Sequence, residues 1–528
     1  MRKWINHNSE VMLAGLFFLV LVSSLVLIFT FSPGIIYYDV YDYCEGLPLA
    51  EATIQAKSLI HPNYIYYYIL PLGPNVLIAP FILLFGYTMF ANQAGMIVYL
   101  CMHLGVLYKL AKALYEDKKS RLLFCIVLSL FVYTYIGDNL LHHLLAYGIG
   151  FVCFLGELAC VIEIRRQQNV RKNTILLAIL AFWSSANGIS PAALSGFSIL
   201  AGLLFTGIRN GKWNTKENLY VLKTMFPAML IGFVLYIYLN NTAMTMNYTN
   251  LSRFILDKAN TVVYRIFNYM PADYLKLFYY DPVKVPLFSL SGFLCMIRLC
   301  FALAVPVFPV WIFRKYSVKT TMDDDRSLIF WSCGMVILVC LAQYILMTSS
   351  VLRFLFNGVL GMFLICAVLF TDHQEKIPAG IPVLAALIVL MTVKMFVVTY
   401  PYGLTVKKQY EDLNDLLDQE NLPFGYCFAQ NPRPLEILSQ HKNKIYPIYY
   451  DEGKERFKVS YDRTYTWDQK KPEGIDRFYI AFDPAKPEDQ FYAKFGQDLL
   501  DSCREKITFN NLTLLIYDME DWDRVMSE

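Results

Sequence analysis

Four carboxylates crowd one short stretch of the chain, Asp39, Asp42, Glu45 and Glu51 in YYDVYDYCEGLPLAE, directly after a long apolar run. Ionisable groups at the edge of a bilayer are costly to place and tend to be functional. Tyr37, Tyr38, Tyr41 and Tyr43 flank the two aspartates, and partial desolvation among such rings raises a carboxyl pKa toward the range of a general base. A plainer role for the same acids is to solvate the end of the preceding helix. Asp138, His142 and His143 recur in YIGDNLLHHLLAYG, where Asp138 and His142 share a helical face at i, i+4. No third ligand is fixed by the sequence, so a tight metal site is not expected there, and a helix cap with interfacial histidines is the alternative. Arg353, in TSSVLRFLFNG, sits between two apolar runs. A guanidinium there either offers phosphate oxygens two donors in a fixed fork or snorkels to the headgroups. Arg298, in LSGFLCMIRLCFALAV, is enclosed by apolar residues. A charge at mid-membrane needs a partner, so the expectation is an interfacial helix over 286–297 with Arg298 where the chain enters the membrane.

Such groups need a membrane scaffold. Of 528 residues, 56% are apolar and 16% aromatic, with a mean hydropathy of +0.40, above the roughly 45–50% apolar share of soluble proteins. The chain is therefore expected to be an α-helical polytopic membrane protein. By the criterion of about 20 apolar residues per span, about 11 spans fall at 11–31, 91–113, 122–137, 143–162, 174–187, 191–208, 224–240, 286–313, 327–348, 355–371 and 379–399. The run Val11 to Phe31 has the length of a span and lacks a small-residue cleavage site, so it is expected to stay as the first helix. Lys and Arg collect in alternate loops, at Arg2 and Lys3, Lys118 to Arg121, Arg165 to Lys172, Lys212 to Lys223, and Arg314 to Lys319. These loops are expected to be cytoplasmic. The N-terminus is then inside, and the loops at 32–90 and 241–285 and the tail after 400 lie outside a plasma (inner) membrane. A net charge of +3 without a like-charged block gives no reason to expect nucleic acid as a partner.

Within the first outer loop, PLGPNVLIAPFILLFG is short for a span and reads as an element lying on the membrane surface. The tyrosines of both long loops are expected to anchor at the headgroups or stack on sugars. After Tyr400 the composition becomes that of a soluble domain, 401–528. LTVKKQYEDLNDLLDQENL, PLEILSQHK and DQFYAKFGQDLLDSCREK have helical spacing, whereas FGYCFAQ, KIYPIYY, DRFYIAF and NNLTLLIYDM read as strands, which makes a small α/β domain. Most of the 12 cysteines lie in apolar runs, but Cys427 and Cys503 fall in this tail and could pair if that side is oxidising.

First-loop acids followed by an interfacial helix ending in Phe-Gly, together with the tail pattern LPFGYCFAQNPRPLEILSQHKNKIYPI, resemble the polytopic glycosyltransferases of the GT-C superfamily, which use lipid-linked sugars and include dolichyl-phosphate-mannose-dependent mannosyltransferases and ArnT. The resemblance implies a membrane-bound, inverting transferase. Its donor would be a polyprenyl-phosphate sugar, and its acceptor a glycan, lipid or protein on the extracytoplasmic face. It places the catalytic acid in the first loop, Asp39 ahead of Asp42, with Glu45 and Glu51 behind. It gives Asp138, His142 and His143 a part in positioning the acceptor or holding a divalent cation (Mg or Mn), with no cofactor certain. Arg353 would bind the donor phosphate, with Arg298 as a second candidate. A glycolipid flippase or exporter, and a polymerase or ligase of lipid-linked glycans, are the competing functions.

Overall fold

The computed structural model describes residues 2–31, 44–66, 69–142, 145–211, 215–245, 259–280, 285–316, 323–346, 352–428, 433–451, 453–460, 464–483 and 496–527. The chain is mostly helical, with a small strand region at its C-terminal end. Among the described residues eight helices are long and apolar enough to cross a membrane, or up to nine if one bent pair is a single span. Eleven were expected: 122–137 falls in the bent pair and Val170–Ala186 has only 17 residues, while Leu145–Arg165 has 21 residues with Glu157 as its one charge before the last turn.

In chain order, α1 (Arg2–Phe29) leads to α2 (Gly46–Ala56), the two-residue strand β1 (Ile65–Tyr66), α3 (Pro74–Phe85) and α4 (Met89–Leu114). Thr88 caps α4 by accepting from the Ala91 N–H at 3.3 Å. Next comes α5 (Lys118–Leu128), which continues as a 3₁₀ turn to Tyr133 and then bends by 89° into α6 (Tyr135–His142). The expected span 122–137 is thus broken, and α6 runs across the direction of α5. After α7 (Leu145–Arg165) and α8 (Val170–Ala186), the chain breaks at Asn187–Gly188 before α9 (Ile189–Arg209). Gly188 has φ +113°, a backbone state that side chains rarely adopt. Then follow α10 (Lys216–Thr242), β2 (Met244–Thr245), α11 (Ala259–Tyr264), α12 (Met270–Lys276), α13 (Leu290–Tyr316), α14 (Asp324–Leu346), α15 (Phe356–Asp372) and α16 (Gly380–Gln419).

α16 runs without interruption from the last apolar segment into the tail, so residue 400 falls inside a helix. It lies beside α1 in parallel: Ser23 Oγ is 3.1 Å from Thr392 Oγ1, and Phe31 meets Tyr410 with ring centroids 5.8 Å apart. Gly403 permits this approach, since a Cβ there would sit 2.6 Å from the Thr30 side chain and 2.7 Å from the Phe31 carbonyl.

The tail is a mixed sheet of β3 (Phe424–Cys427), β4 (Lys444–Asp451), β5 (Arg456–Val459), β6 (Arg477–Phe482), β7 (Glu505–Phe509), β8 (Leu512–Asp518) and β9 (Met526–Ser527). Its order is β7-β8-β6-β3-β4-β5-β9, with β3 parallel to both β4 and β6. The expected strands are present; β5, β7 and β9 are additional. The expected helix over DQFYAKFGQDLLDSCREK is limited among the described residues to Gln497–Asp501, because Glu505 already belongs to β7. Cys427 and Cys503 do not pair. Cys427 is buried among Leu413, Leu417 and Leu514 in one apolar cluster, whereas Cys503 packs against the other, with Phe457 and Tyr517.

One end of the bundle is laced by ion pairs. Arg165 lies 3.3 Å from Asp325, Arg166 lies 2.8 Å from the same carboxylate, and Arg326 lies 3.3 Å from Asp372. At the other end the first loop is sandwiched between neighbours. β1 pairs in parallel with β2. The Leu72 N–H donates to Asn187 Oδ1 at 3.0 Å, and Trp183 Nε1 donates to the Leu72 carbonyl at 2.7 Å. The Ile65 N–H donates to the Thr464 carbonyl at 2.8 Å, which ties the loop to the tail. α3, twelve residues or about 18 Å long, is too short for a core of about 30 Å and leaves Val76, Leu83, Leu84 and Phe85 exposed. Tyr64 and Tyr66, by contrast, are 1% exposed and face each other and Tyr465, so neither anchors at headgroups nor offers a face to a sugar.

Candidate functional site

Asp39, Asp42 and His143 lie outside the described residues, and of His142 only the backbone, within α6, is placed. The stretch holding the two aspartates leaves the described chain at Phe31, beside α16, and rejoins it at Cys44, where Asn92 Nδ2 lies 3.5 Å from Cys44 Sγ. Cys44 has φ +55°, in the left-handed region that costs a non-glycine residue about 1–3 kcal/mol.

The structure brings Asp138 and Arg298 to one place, around Tyr279, together with a residue the sequence reading passed over, Lys394. The bend before α6 sets Asp138 at the first-loop end of the bundle, 9% exposed. The Tyr135 N–H, at the start of α6, donates to the Leu277 carbonyl at 2.8 Å and so fixes α6 to the turn after α12. Arg298 donates from Nη1 to the Tyr279 carbonyl at 3.1 Å, with its guanidinium 5.9 Å from the ring centre of that residue. Lys394 Nζ lies 5.0 Å from the same ring centre, and both Asp138 and Arg298 are within electrostatic reach of it.

Tyr279 itself has φ +58°, a second strained residue at this end. Burial pushes its phenol well above the ordinary tyrosine range, and the charge of Asp138 adds to the shift against the opposing Arg298. It therefore stays protonated and keeps a hydrogen to donate. Among the described residues neither Arg298 nor Lys394 is in an ion pair with a carboxylate.

Arg298 does not mark a junction between an interfacial helix and a span. α13 is one continuous helix of 27 residues from Leu290, about 40 Å long, and Arg298 sits two turns inside it. The length explains the tolerance: a helix longer than the apolar core has a first stretch to spare outside it. Lys394 lies nine residues, about 13 Å along α16, below the level where Gly403 meets Phe31.

Arg353 is half-buried on a 3₁₀ turn, Leu352–Leu355, that packs against α12. Beside this turn Tyr344 donates to Asp273 Oδ2 at 2.7 Å, Lys276 lies 3.5 Å from Asp273, and Arg265 donates to the Ile345 carbonyl at 3.1 Å. Of the other first-loop acids one is buried and one half-buried. Glu45 is 5% exposed at the start of α2. Glu51 Oε1 lies 3.1 Å from His441 Nε2, off the hydrogen-bonding direction, and His441 Nδ1 is 3.0 Å from Glu436, which Arg433 holds at 2.8 Å. Arg433 and Glu436 belong to a short helix, α17 (Arg433–Leu438). Glu51 is thereby tied to the tail, a use of a first-loop acid that its position in the sequence does not suggest.

The arrangement can neutralise a doubly charged group. Two cations and a phenol converge where α6, the turn after α12, α13 and α16 meet, with one carboxylate, Asp138, within electrostatic reach of Lys394. Among the described residues no three or more His, Cys, Asp or Glu are gathered for a metal. Lys394 had a visible signal, a lone charge inside MTVKMFVVTY; Tyr279 had none, since its role comes from a turn. No family model, no curated protein and no solved structure matches the chain.

Proposed function

We propose that this protein is a membrane glycosyltransferase of the plasma membrane. It moves a sugar from a polyprenyl-phosphate donor to a hydroxyl of a glycan, lipid or protein acceptor at the end of the bundle capped by the first loop. The observation that supports this reading is the pair Arg298 and Lys394, held around Tyr279 with neither in an ion pair with a carboxylate among the described residues.

The donor is a phosphodiester with one negative charge. As its bond to the anomeric carbon breaks, the electron pair passes to the phosphate oxygen and a second charge develops. Cations already in place at that oxygen stabilise the transition state more than the ground state. Asp39 or Asp42 takes the proton of the acceptor hydroxyl while its oxygen attacks the anomeric carbon from the face opposite the phosphate, inverting the centre. Asp138 orients Lys394, and Tyr279 donates to a phosphate oxygen.

The test is sugar transfer by the purified chain from a panel of polyprenyl-phosphate sugars, comparing the parent with Asp39→Asn and Asp42→Asn. One of the two variants is expected to lose transfer by about 10²–10⁴-fold with the fold retained. Full activity in both removes the first-loop base. A transport reading has an observation of its own. Glu157 and His103 are buried within the bundle at 0% and 3% exposure, and neither nitrogen of His103 has a hydrogen-bond partner among the described residues. Movement of donor across vesicles without sugar transfer would favour it.

A further inference from the structure

Between α2 and the tail lies a cleft of about 270 Å³ that the donor end does not use, lined by residues that include Glu51, His441, Tyr465, Trp467 and Asp468. Its volume is slightly below that of drug-sized pockets, about 300–1,000 Å³, which suits one ring rather than an extended chain.

Three features of its wall bear on what it holds. Trp467 stacks face to face on Tyr465, with centroids 4.5 Å apart and planes 7° apart, yet remains 48% exposed. A large ring backed by Tyr465, met edge-on by His61 at 5.8 Å and still half-exposed is a platform, because its negative π face attracts the weakly positive C–H groups on one side of a saccharide. Polar groups stand around it. Asp468 accepts from the Tyr446 hydroxyl and from the Tyr465 N–H, each at 2.8 Å, which fixes its carboxylate in position. The Tyr465 hydroxyl is buried and has no hydrogen-bond partner among the described residues, a donor left open for a ligand.

The charges in the cleft are balanced. Arg433, His441 and Lys444 stand against Glu51, Glu436 and Asp468, and the Arg433–Glu436–His441–Glu51 chain is internally paired. A phosphate or polyanion gains little from such a wall, whereas an uncharged polyol exchanges hydrogen bonds with it.

We propose that this cleft is a binding subsite for a neutral sugar ring, and that it seats the acceptor glycan. The binding claim stands on the cleft alone; the acceptor role rests on the glycosyltransferase reading.

The full chain, purified in lipid nanodiscs, is applied to a glycan array carrying neutral, sulfated and uronic-acid oligosaccharides, alongside Trp467→Ala, Tyr465→Phe and Arg298→Ala. The parent is expected to retain neutral glycans. Trp467→Ala should weaken retention about tenfold or more and Tyr465→Phe by less, each with an unchanged melting temperature. Arg298→Ala should bind as the parent does. A parent that retains no glycan, prefers the anionic ones, or loses nothing in Trp467→Ala overturns the subsite. Retention that depends on Trp467 in a protein that consumes no polyprenyl-phosphate sugar keeps the subsite and removes its acceptor role.

Discussion

The two ends of the helical bundle carry similar residue types and use them oppositely. At one end several basic side chains are paired with acids: Arg165 and Arg166 share Asp325, Arg326 is held between Asp323 and Asp372, and Lys109 pairs with Glu163. At the other, Arg298 and Lys394 face a phenol ring and a backbone carbonyl, with Asp138 in reach of Lys394 but not in an ion pair with it. Paired charges at helix ends fix how helices stand against each other. Cations left without a carboxylate where water is scarce cost desolvation, and such a cost is retained where a ligand supplies the missing negative charge.

This contrast is broken or sharpened most strongly at Arg298. Arg298→Ala is expected to lower the turnover of a polyprenyl-phosphate sugar by about 10²–10³-fold, the usual effect of removing one group aimed at developing charge. Its melting temperature in detergent should change little. Equal losses of activity and of folded protein would make Arg298 a structural residue, and the two ends would then be alike.

Arg326→Ala probes the opposite end. Its side chain is 18% exposed and contacts two carboxylates and the ring of Tyr115, so its loss should cost about 1–3 kcal/mol of stability. Turnover per folded molecule should be unchanged. Thermal unfolding followed alongside activity separates the two, and a variant that is stable but inactive would contradict the division of labour.

A smaller effect, of opposite sign, is expected at Lys394. Lys394→Met keeps the length of the side chain and removes a buried charge with no ion-pair partner, so the melting temperature should stay level or rise slightly while donor turnover falls. A clear drop in melting temperature would show that Asp138 and Lys394 hold each other as the pairs at the other end do.

Much of this architecture is legible in the residues, and the reason for each miss is physical. Apolar runs of span length give most of the helices, and alternation in FGYCFAQ and DRFYIAF gives strands of the tail. The 89° bend before α6 is not legible, since it depends on the Tyr135 amide being held by Leu277, more than a hundred residues on. Asp138 and Arg298 stand out as charges in apolar surroundings, but their meeting at Tyr279 depends on a turn after α12 that has no pattern of its own. Glu51 reads as one acid among four, because its partner His441 lies far away in the tail.

That last pair carries the paired logic of one end into the other, and pH tests it. Burial works against a charge on His441, but the hydrogen bond to Glu436 and the negative charges of Glu436 and Glu51 outweigh it and raise its pKa to about 9 from an ordinary value of 6.5. A pKa raised on folding stabilises the protonated folded state. The contribution is therefore complete below about pH 6.5, declines between 6.5 and 9, and is absent above 9. After screening, its size is on the order of 1–2 kcal/mol. The difference in melting temperature between the parent and His441→Gln isolates it from every other titrating group. That difference should be largest near pH 6 and vanish by pH 10. A difference that is constant over this range would mean that His441 serves by its stacking on Tyr87, with centroids 3.8 Å apart, rather than by its charge, and the junction of first loop and tail would then be an aromatic contact with no counterpart at the paired end.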